Sequence, residues 1–146
     1  ERKFNVIPDR VELSLDVRHF NDQVRTDSVT RLLMEAQAAS RTAGCQFAVL
    51  DEATHDTVRS NSRLLEVLRD TVRDGGYPEF ELESGAGHDA AVMGRRFPMA
   101  MLFIRHPGGV SHHPDENVDV ADVAIAIEVL GQYFLRLADE LQSHGI

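Results

Sequence analysis

The run Pro98-Met99-Ala100-Met101-Leu102-Phe103-Ile104 is apolar throughout, and it constrains the fold more than any other stretch. It is far shorter than the roughly 20 residues that span a bilayer. It also lacks the polar residues that alternate with apolar ones in a strand wetted on one side. Such a run predicts a strand buried on both faces, as in an α/β layer. Its flanks read as the covering helices. Asn61 is placed to cap a helix through residue 74 whose buried face is Leu64, Leu65, Leu68 and Val72, with Gly75-Gly76 and Pro78 ending it. A short strand, 79–83, leads into Ser84-Gly85-Ala86-Gly87-His88-Asp89-Ala90 and a helix to about Arg95. The last helix, about 119–142, spaces Val123, Ile127, Leu130, Phe134, Leu137 and Leu141 by four and three, an amphipathic stripe. This portion reads helix–strand–helix–strand–helix, an α/β layer with an open end.

The first third has a different rhythm. In residues 10–18, Val11, Leu13, Leu15 and Val17 face one way and Arg10, Glu12, Ser14, Asp16 and Arg18 the other. That alternation predicts a half-buried strand, and Pro8-Asp9 is the turn joining it to a strand over 3–7. Residues 22–43 are rich in helix formers, with Val29, Leu33 and Ala36 on one face and Gly44 as the stop. Residues 45–51 read as a further strand. Strand–strand–helix–strand describes a small α+β sheet covered on one face, and polar residues 52–60 make the expected boundary. The chain enters a strand pattern at once, without an initiator Met, so we expect it to be a piece of something longer.

Charge and cysteine content narrow the partners. A net charge of −9 and a pI near 5.1 set the chain against nucleic-acid backbones and anionic membrane surfaces, which it would repel at long range. The single cysteine, Cys45, rules out an internal disulfide and suits a reducing compartment, so a cytoplasmic location is expected.

Three stretches can carry chemistry. SGAGHDA matches the G-x-G-x-x-A spacing of a dinucleotide cradle, but the following strand ends in Ile104-Arg105-His106, without the acid that would bind a ribose. A tight glycine turn with Asp89 at the positive end of a helix explains it better, yet leaves His88 without a role. The second stretch is Gly108-Gly109-Val110-Ser111-His112-His113-Pro114-Asp115-Glu116, just past the end of the apolar run, where open α/β sheets place their sites. A histidine there can offer a neutral imidazole to a metal, or be simply solvated. The third is Asn5 with Arg18, one on each strand of the hairpin. The Arg18 guanidinium can bind a carboxylate bidentately, or pair with Asp16 or Glu12 at the surface.

In this order, NVIPDRVELSLDVR, SGAGHDA and MLFIRHPGGVSHHPDE resemble the carboxy-terminal part of the amidase/hydantoinase/carbamoylase branch of the M20 metallopeptidase clan. That branch holds N-carbamoyl-L-amino acid hydrolases and allantoate amidohydrolases. The likeness spans about residues 4–140. GAGHDA and GVSHxPxE are specific to the branch, whereas the hairpin is shared more widely.

The resemblance implies a partial two-domain architecture, with residues 1–54 from the dimerisation or lid domain and 55–146 from the metal-dependent catalytic domain. It implies that His112 is a ligand of a centre of two divalent ions, zinc or manganese, with cobalt or nickel as further options. His88 would act on the scissile group as a catalytic and substrate-binding residue. Asn5, Arg18 and the Gly87 amide would hold the substrate carboxylate, and Glu116 would support the His112 loop. The activity implied is hydrolysis of a carbamoyl or ureido C–N bond, releasing ammonia and carbon dioxide, by a homodimer. The other metal ligands and the general-base glutamate have no match in these residues. A zinc centre takes about three or four protein ligands, so the chain alone is expected to be inactive. Two alternatives stay open: an M20 aminoacylase or peptidase that releases no ammonia, and a non-catalytic dimerisation or ligand-binding module.

Overall fold

Asn21 begins the first helix by local chemistry. Its side-chain oxygen accepts the amides of Gln23 at 3.0 Å and Val24 at 3.2 Å, satisfying donors that have no partner inside the helix. In the computed structural model, which describes residues 7–143, this helix is α1, Asp22–Thr42. Three more follow: α2, Ser62–Asp74; α3, Asp89–Met93; and α4, Val120–Ser143. The chain divides into two compact units, one reaching Thr57 and the other starting at Val58.

In the first unit, α1 ends where Gly44 takes φ of +69°, a conformation that costs a side-chain-bearing residue dearly. The amide of Cys45 then bonds the Ser40 carbonyl and that of Gly44 bonds the Arg41 carbonyl, a Schellman termination. Asp22, in the first turn, accepts both the Thr57 amide and the Thr57 hydroxyl, so it anchors the end of the connecting segment to the helix start. Those bonds, with Arg25 nearby, hold the Asp22 carboxyl below the usual carboxylate range. No residue of α1 is fully buried; Val29, Leu33 and Ala36 are half-buried.

The second unit holds the core. Val67 and Leu68 of α2 pack with Val129 and Tyr133 of α4, and Val72, Tyr77, Ala100, Leu102, Ile125 and Leu137 close around them. Thr71 is buried beside them, its hydroxyl donating to the Val67 carbonyl at 2.7 Å, so the polar atom costs little. Asn61 caps α2 by accepting the Leu64 amide. At the other end, the Tyr77 amide returns to the Val72 carbonyl, which folds the Tyr77 ring back onto the core. Ion pairs from Arg63 to Glu140 and from Arg136 to Asp74 tie α2 to α4 at the surface.

Two expectations are corrected. The last helix does not bury the stripe predicted for it. It buries Ala126, Val129 and Tyr133, while Ile127 is 67% and Phe134 63% exposed. The helix is apolar on more than one face, and α2 selects the face carrying the buried tyrosine. The second correction concerns the sheets. Among the described residues no strand forms: 10–18, 45–51, 79–83 and 98–104 run without helix and without a ladder. A ladder needs a run of paired backbone amides and carbonyls, and among the described residues these segments make only isolated backbone bonds, such as the Cys45 amide to the Ser40 carbonyl. The apolar run still behaves as half a strand. Ala100 and Leu102 turn to the core, whereas Phe103 and Ile104 are 45% and 41% exposed, so the run is packed over 99–102 and open at its end. At the start of α2 the cap residue Asn61 donates its amide to the Met99 carbonyl at 2.8 Å, which links the run to that helix. The 3–7 strand of the hairpin lies almost wholly outside the described residues.

Candidate functional site

The histidine turn is built by the residues on either side of it. Beyond the apolar run, Arg105 pairs with Asp122 in the first turn of α4, which pins the point where the loop leaves. The loop then returns to α4 through Glu116 and Asn117. At its tip, His112 has φ of +57°, the one left-handed residue other than glycine among those described. Such a backbone costs on the order of 1–3 kcal/mol and persists only where neighbours hold it. Glu116 is that neighbour: its Oε2 accepts the His112 amide at 2.8 Å, and its own amide donates to the His113 carbonyl. His113 turns inward on the loop, its Nδ1 meeting the Asp115 amide and lying 3.5 Å from the Asp115 carboxylate. The His112 side chain is exposed, and among the described residues its imidazole makes no hydrogen bond. The turn therefore spends its internal bonds on the backbone and leaves the ring outward.

SGAGHDA forms an open turn ahead of a single-turn helix. His88 is the residue before α3, with extended backbone and no capping bond from its side chain; Asp89 sits in the first turn. The His88 Nε2 lies 2.7 Å from the Ser84 hydroxyl, and its ring meets Phe103 edge-on at 6.2 Å between centroids. Ser84 thus fixes the ring angle, and Phe103 sets the loop beside the apolar run. Gly85 and Gly87 have open space where a Cβ would be, so their small size serves no packing purpose in the structure. Gly94, which ends α3, is the opposite: a Cβ there would fall 2.7 Å from Val58 Cγ1 and 2.9 Å from Met99 Cγ.

Arg18 is exposed and engaged. Its Nε and Nη2 donate to the two Asp16 oxygens, at 3.0 and 2.6 Å, a side-on pair between neighbours on the same side of the segment. That pairing holds the Asp16 carboxyl below the usual carboxylate range. The geometry is the one a substrate carboxylate would use, with Asp16 in its place. Asn5 lies outside the described residues.

Within the second unit, His88 and His112 stand on separate loops. Among the described residues no hydrogen bond or ion pair joins His88 to His112, and no group of three His, Cys, Asp or Glu residues is placed to hold a metal ion. The donor chemistry of His112 fits a divalent ion; the number of donors does not make a centre. Two residues bearing on the site were missed in the sequence. Ser84 is legible in retrospect as a hydroxyl one short loop before His88. His106 is not, because its partners come from the far side of the loop: the amides of Val110 and Asn117 reach its two ring nitrogens.

Residues 11–136 match the sequence profile of peptidase family M20/M25/M40. The chain is 35% identical over 135 residues to an allantoate amidohydrolase of Bacillus subtilis strain 168, covering 92% of this chain and 32% of that protein. It is 31% identical over 134 residues to an N-carbamoyl-L-amino acid amidohydrolase of Geobacillus stearothermophilus, covering 92% and 33%. A probable allantoate deiminase of Oryza sativa subsp. japonica is 38% identical over 131 residues, covering 82% and 26%. The chain thus spans about a third or less of the length of these relatives. No helix among the described residues is long and apolar enough to cross a membrane.

Proposed function

Since this chain belongs to peptidase family M20/M25/M40, we propose that it is the carboxy-terminal part of a metal-dependent amidohydrolase acting on the carbamoyl or ureido C–N bond of N-carbamoyl amino acids or allantoate-like acids. The observation that carries this reading is the His112 turn, whose strained backbone is held by Glu116 while the imidazole faces outward. Strain kept by a dedicated carboxylate around an unengaged imidazole suits a metal ligand better than a solvated surface loop. The names of the relatives, allantoate amidohydrolase and N-carbamoyl-L-amino acid amidohydrolase, support the substrate class.

In this reading the enzyme holds two divalent ions, zinc or manganese, with His112 as the ligand from this chain and the remaining ligands beyond it. When bound, the ions would activate water and polarise the scissile carbonyl. The described residues do not complete that centre, so the steps assigned here belong to the chain's own side chains. Arg18 receives the substrate carboxylate in the place that Asp16 now holds, with Asn5 as a second donor to it. His88, its ring angle fixed by Ser84, donates to the oxygen that gains charge as the carbamoyl carbon is attacked, an interaction worth most in the transition state. Residues 1–54 belong to a lid or dimerisation domain and 55–146 to a catalytic domain. The extended segments become strands when partner strands flank them, giving the α/β architecture, in a cytoplasmic homodimer. An acyl-amide-cleaving aminoacylase has less support, because SGAGHDA matches the carbamoylase branch.

Metal stoichiometry of the full-length protein tests the reading. His112→Ala is expected to lower the bound divalent metal while Arg18→Ala leaves it unchanged. Equal metal content in wild type and His112→Ala refutes the ligand role.

A further inference from the structure

We propose that His106 is a positioning residue that clasps the neck of the loop carrying His112. The proposal rests on the reading of His112 as a metal ligand for its functional consequence, and on geometry alone for the clasp. His106 is half-buried at the end of the apolar run. Its Nε2 lies 3.0 Å from the Asn117 amide and its Nδ1 3.3 Å from the Val110 amide, so one imidazole faces backbone donors from both limbs of the loop. The Gly109 amide also donates to the His106 carbonyl, which closes the first turn on the same residue.

A neutral imidazole has one bare nitrogen and one N–H. It can therefore accept only one of the two amides: the shorter contact assigns the bare nitrogen to Nε2 and the Asn117 amide, and Nδ1, which then carries the proton, makes no hydrogen bond to Val110. That bond joins residue 106 to residue 117 directly, so the segment between them is a closed ring. Within it lies the smaller ring made by Glu116 on the His112 amide. Two nested closures restrain the tip: Glu116 fixes the backbone at His112, and His106 fixes the limbs from which that turn hangs. Without the outer closure the inner turn is kept but its position relative to the apolar run is not. A ligand displaced by even a fraction of an ångström loses metal affinity, and groups that orient ligands typically contribute about 10–100-fold to it.

The test compares His106→Phe with His106→Gln in the full-length protein. Phenylalanine keeps the ring volume and removes the acceptor. Glutamine restores an acceptor within reach of the Asn117 amide. Two readouts are taken: hydrogen exchange of the peptide containing residues 107–117, and zinc affinity by competition with a chromophoric chelator. The expected result for His106→Phe is faster exchange in that peptide and zinc binding about 10–100-fold weaker, with both largely recovered in His106→Gln. Exchange unchanged in His106→Phe overturns the clasp. Equal defects in His106→Phe and His106→Gln also overturn it, since packing rather than the acceptor would then matter. His112→Ala is measured in parallel. If it leaves zinc affinity intact, the ligand reading fails, and the exchange data still decide the clasp. If it abolishes binding while His106→Phe does not weaken it, the positioning role fails and the ligand reading stands.

Discussion

Gly94→Ala adds one methyl at the tightest glycine in the structure. The new carbon would lie 2.7 Å from Val58 Cγ1, 2.9 Å from Met99 Cγ and 3.0 Å from the Ala90 carbonyl oxygen. Carbon atoms at rest stand about 3.5–4.0 Å apart, so the two carbons must retreat by roughly 0.6–1.3 Å and the carbonyl oxygen by a few tenths of an ångström. None of the three is the free tip of a long chain. The Val58 methyl sits on a branched, rotamer-restricted side chain, the Met99 atom is mid-chain, and the carbonyl belongs to the backbone of α3. Overpacking of this kind costs about 1–3 kcal/mol. Gly94 has φ of −64°, which alanine adopts freely, so reduced freedom of the unfolded chain returns about 0.4–1 kcal/mol. The net expectation is destabilisation centred on about 1.3 kcal/mol, or roughly 5–10 °C in Tm for a unit the size of residues 58–146. Gly87→Ala makes the same chemical change where a Cβ meets open space, and its stability should stay within about 0.5 kcal/mol of wild type. Thermal unfolding followed by circular dichroism compares the two. Equal midpoints for Gly94→Ala and Gly87→Ala would refute the placement of Val58, Met99 and α3 around Gly94.

Other outcomes follow from the same structure. Arg18→Ala should raise KM for carboxylate substrates at unchanged metal content, whereas Asp16→Asn, which removes the competing carboxylate, should lower KM or leave it unaltered; a higher KM in Asp16→Asn contradicts the exchange. His88→Ala should reduce kcat by about 10²–10³ with metal retained, the scale of losing one oxyanion donor, and a wild-type kcat removes His88 from the chemistry. The Asp22 carboxyl has its pKa lowered on folding by Thr57. Its contribution is therefore complete above the unfolded value of about 3.9 and is lost as pH falls through the lower folded value. In acid titrations of stability, Asp22→Asn should flatten that limb; an unchanged acid limb counts against the Thr57 anchor. Burial, with Glu140 nearby, pushes the Tyr133 phenol up, so stability should decline as pH rises past about 10. Tyr133→Phe should remove that decline, and its persistence would mean another group is responsible.

The parts of the fold legible in the sequence are those fixed by short-range chemistry. Asn61 starts a helix because its side-chain oxygen reaches the amide three residues ahead, and Gly44 ends one because its backbone turns left-handed. The buried face of α4 was not legible, because the helix is apolar on adjoining faces and only α2 decides that Tyr133 goes in and Phe134 stays out. Strand pairing is not seen among the described residues for a related reason. Alternation in 10–18 states which side of a strand would be buried, but pairing belongs to a second segment that the pattern does not contain. At the site, His88 and His112 stand out by motif, and Arg18 by its place on the polar face. The roles of Ser84 and His106 depend on loop closure: Ser84 reaches across four residues, and His106 meets an amide eleven residues on.

Ammonia release by the full-length protein is the direct test of the proposed metal-dependent hydrolysis of carbamoyl or ureido acids. The assay compares metal-loaded and chelated enzyme on N-carbamoyl amino acids, allantoate and N-acetyl amino acids. The expected result is ammonia from a carbamoyl or ureido substrate, abolished by chelation and restored by added zinc or manganese. Free amino acid from the acetyl substrates, with no ammonia from any of the others, would contradict it.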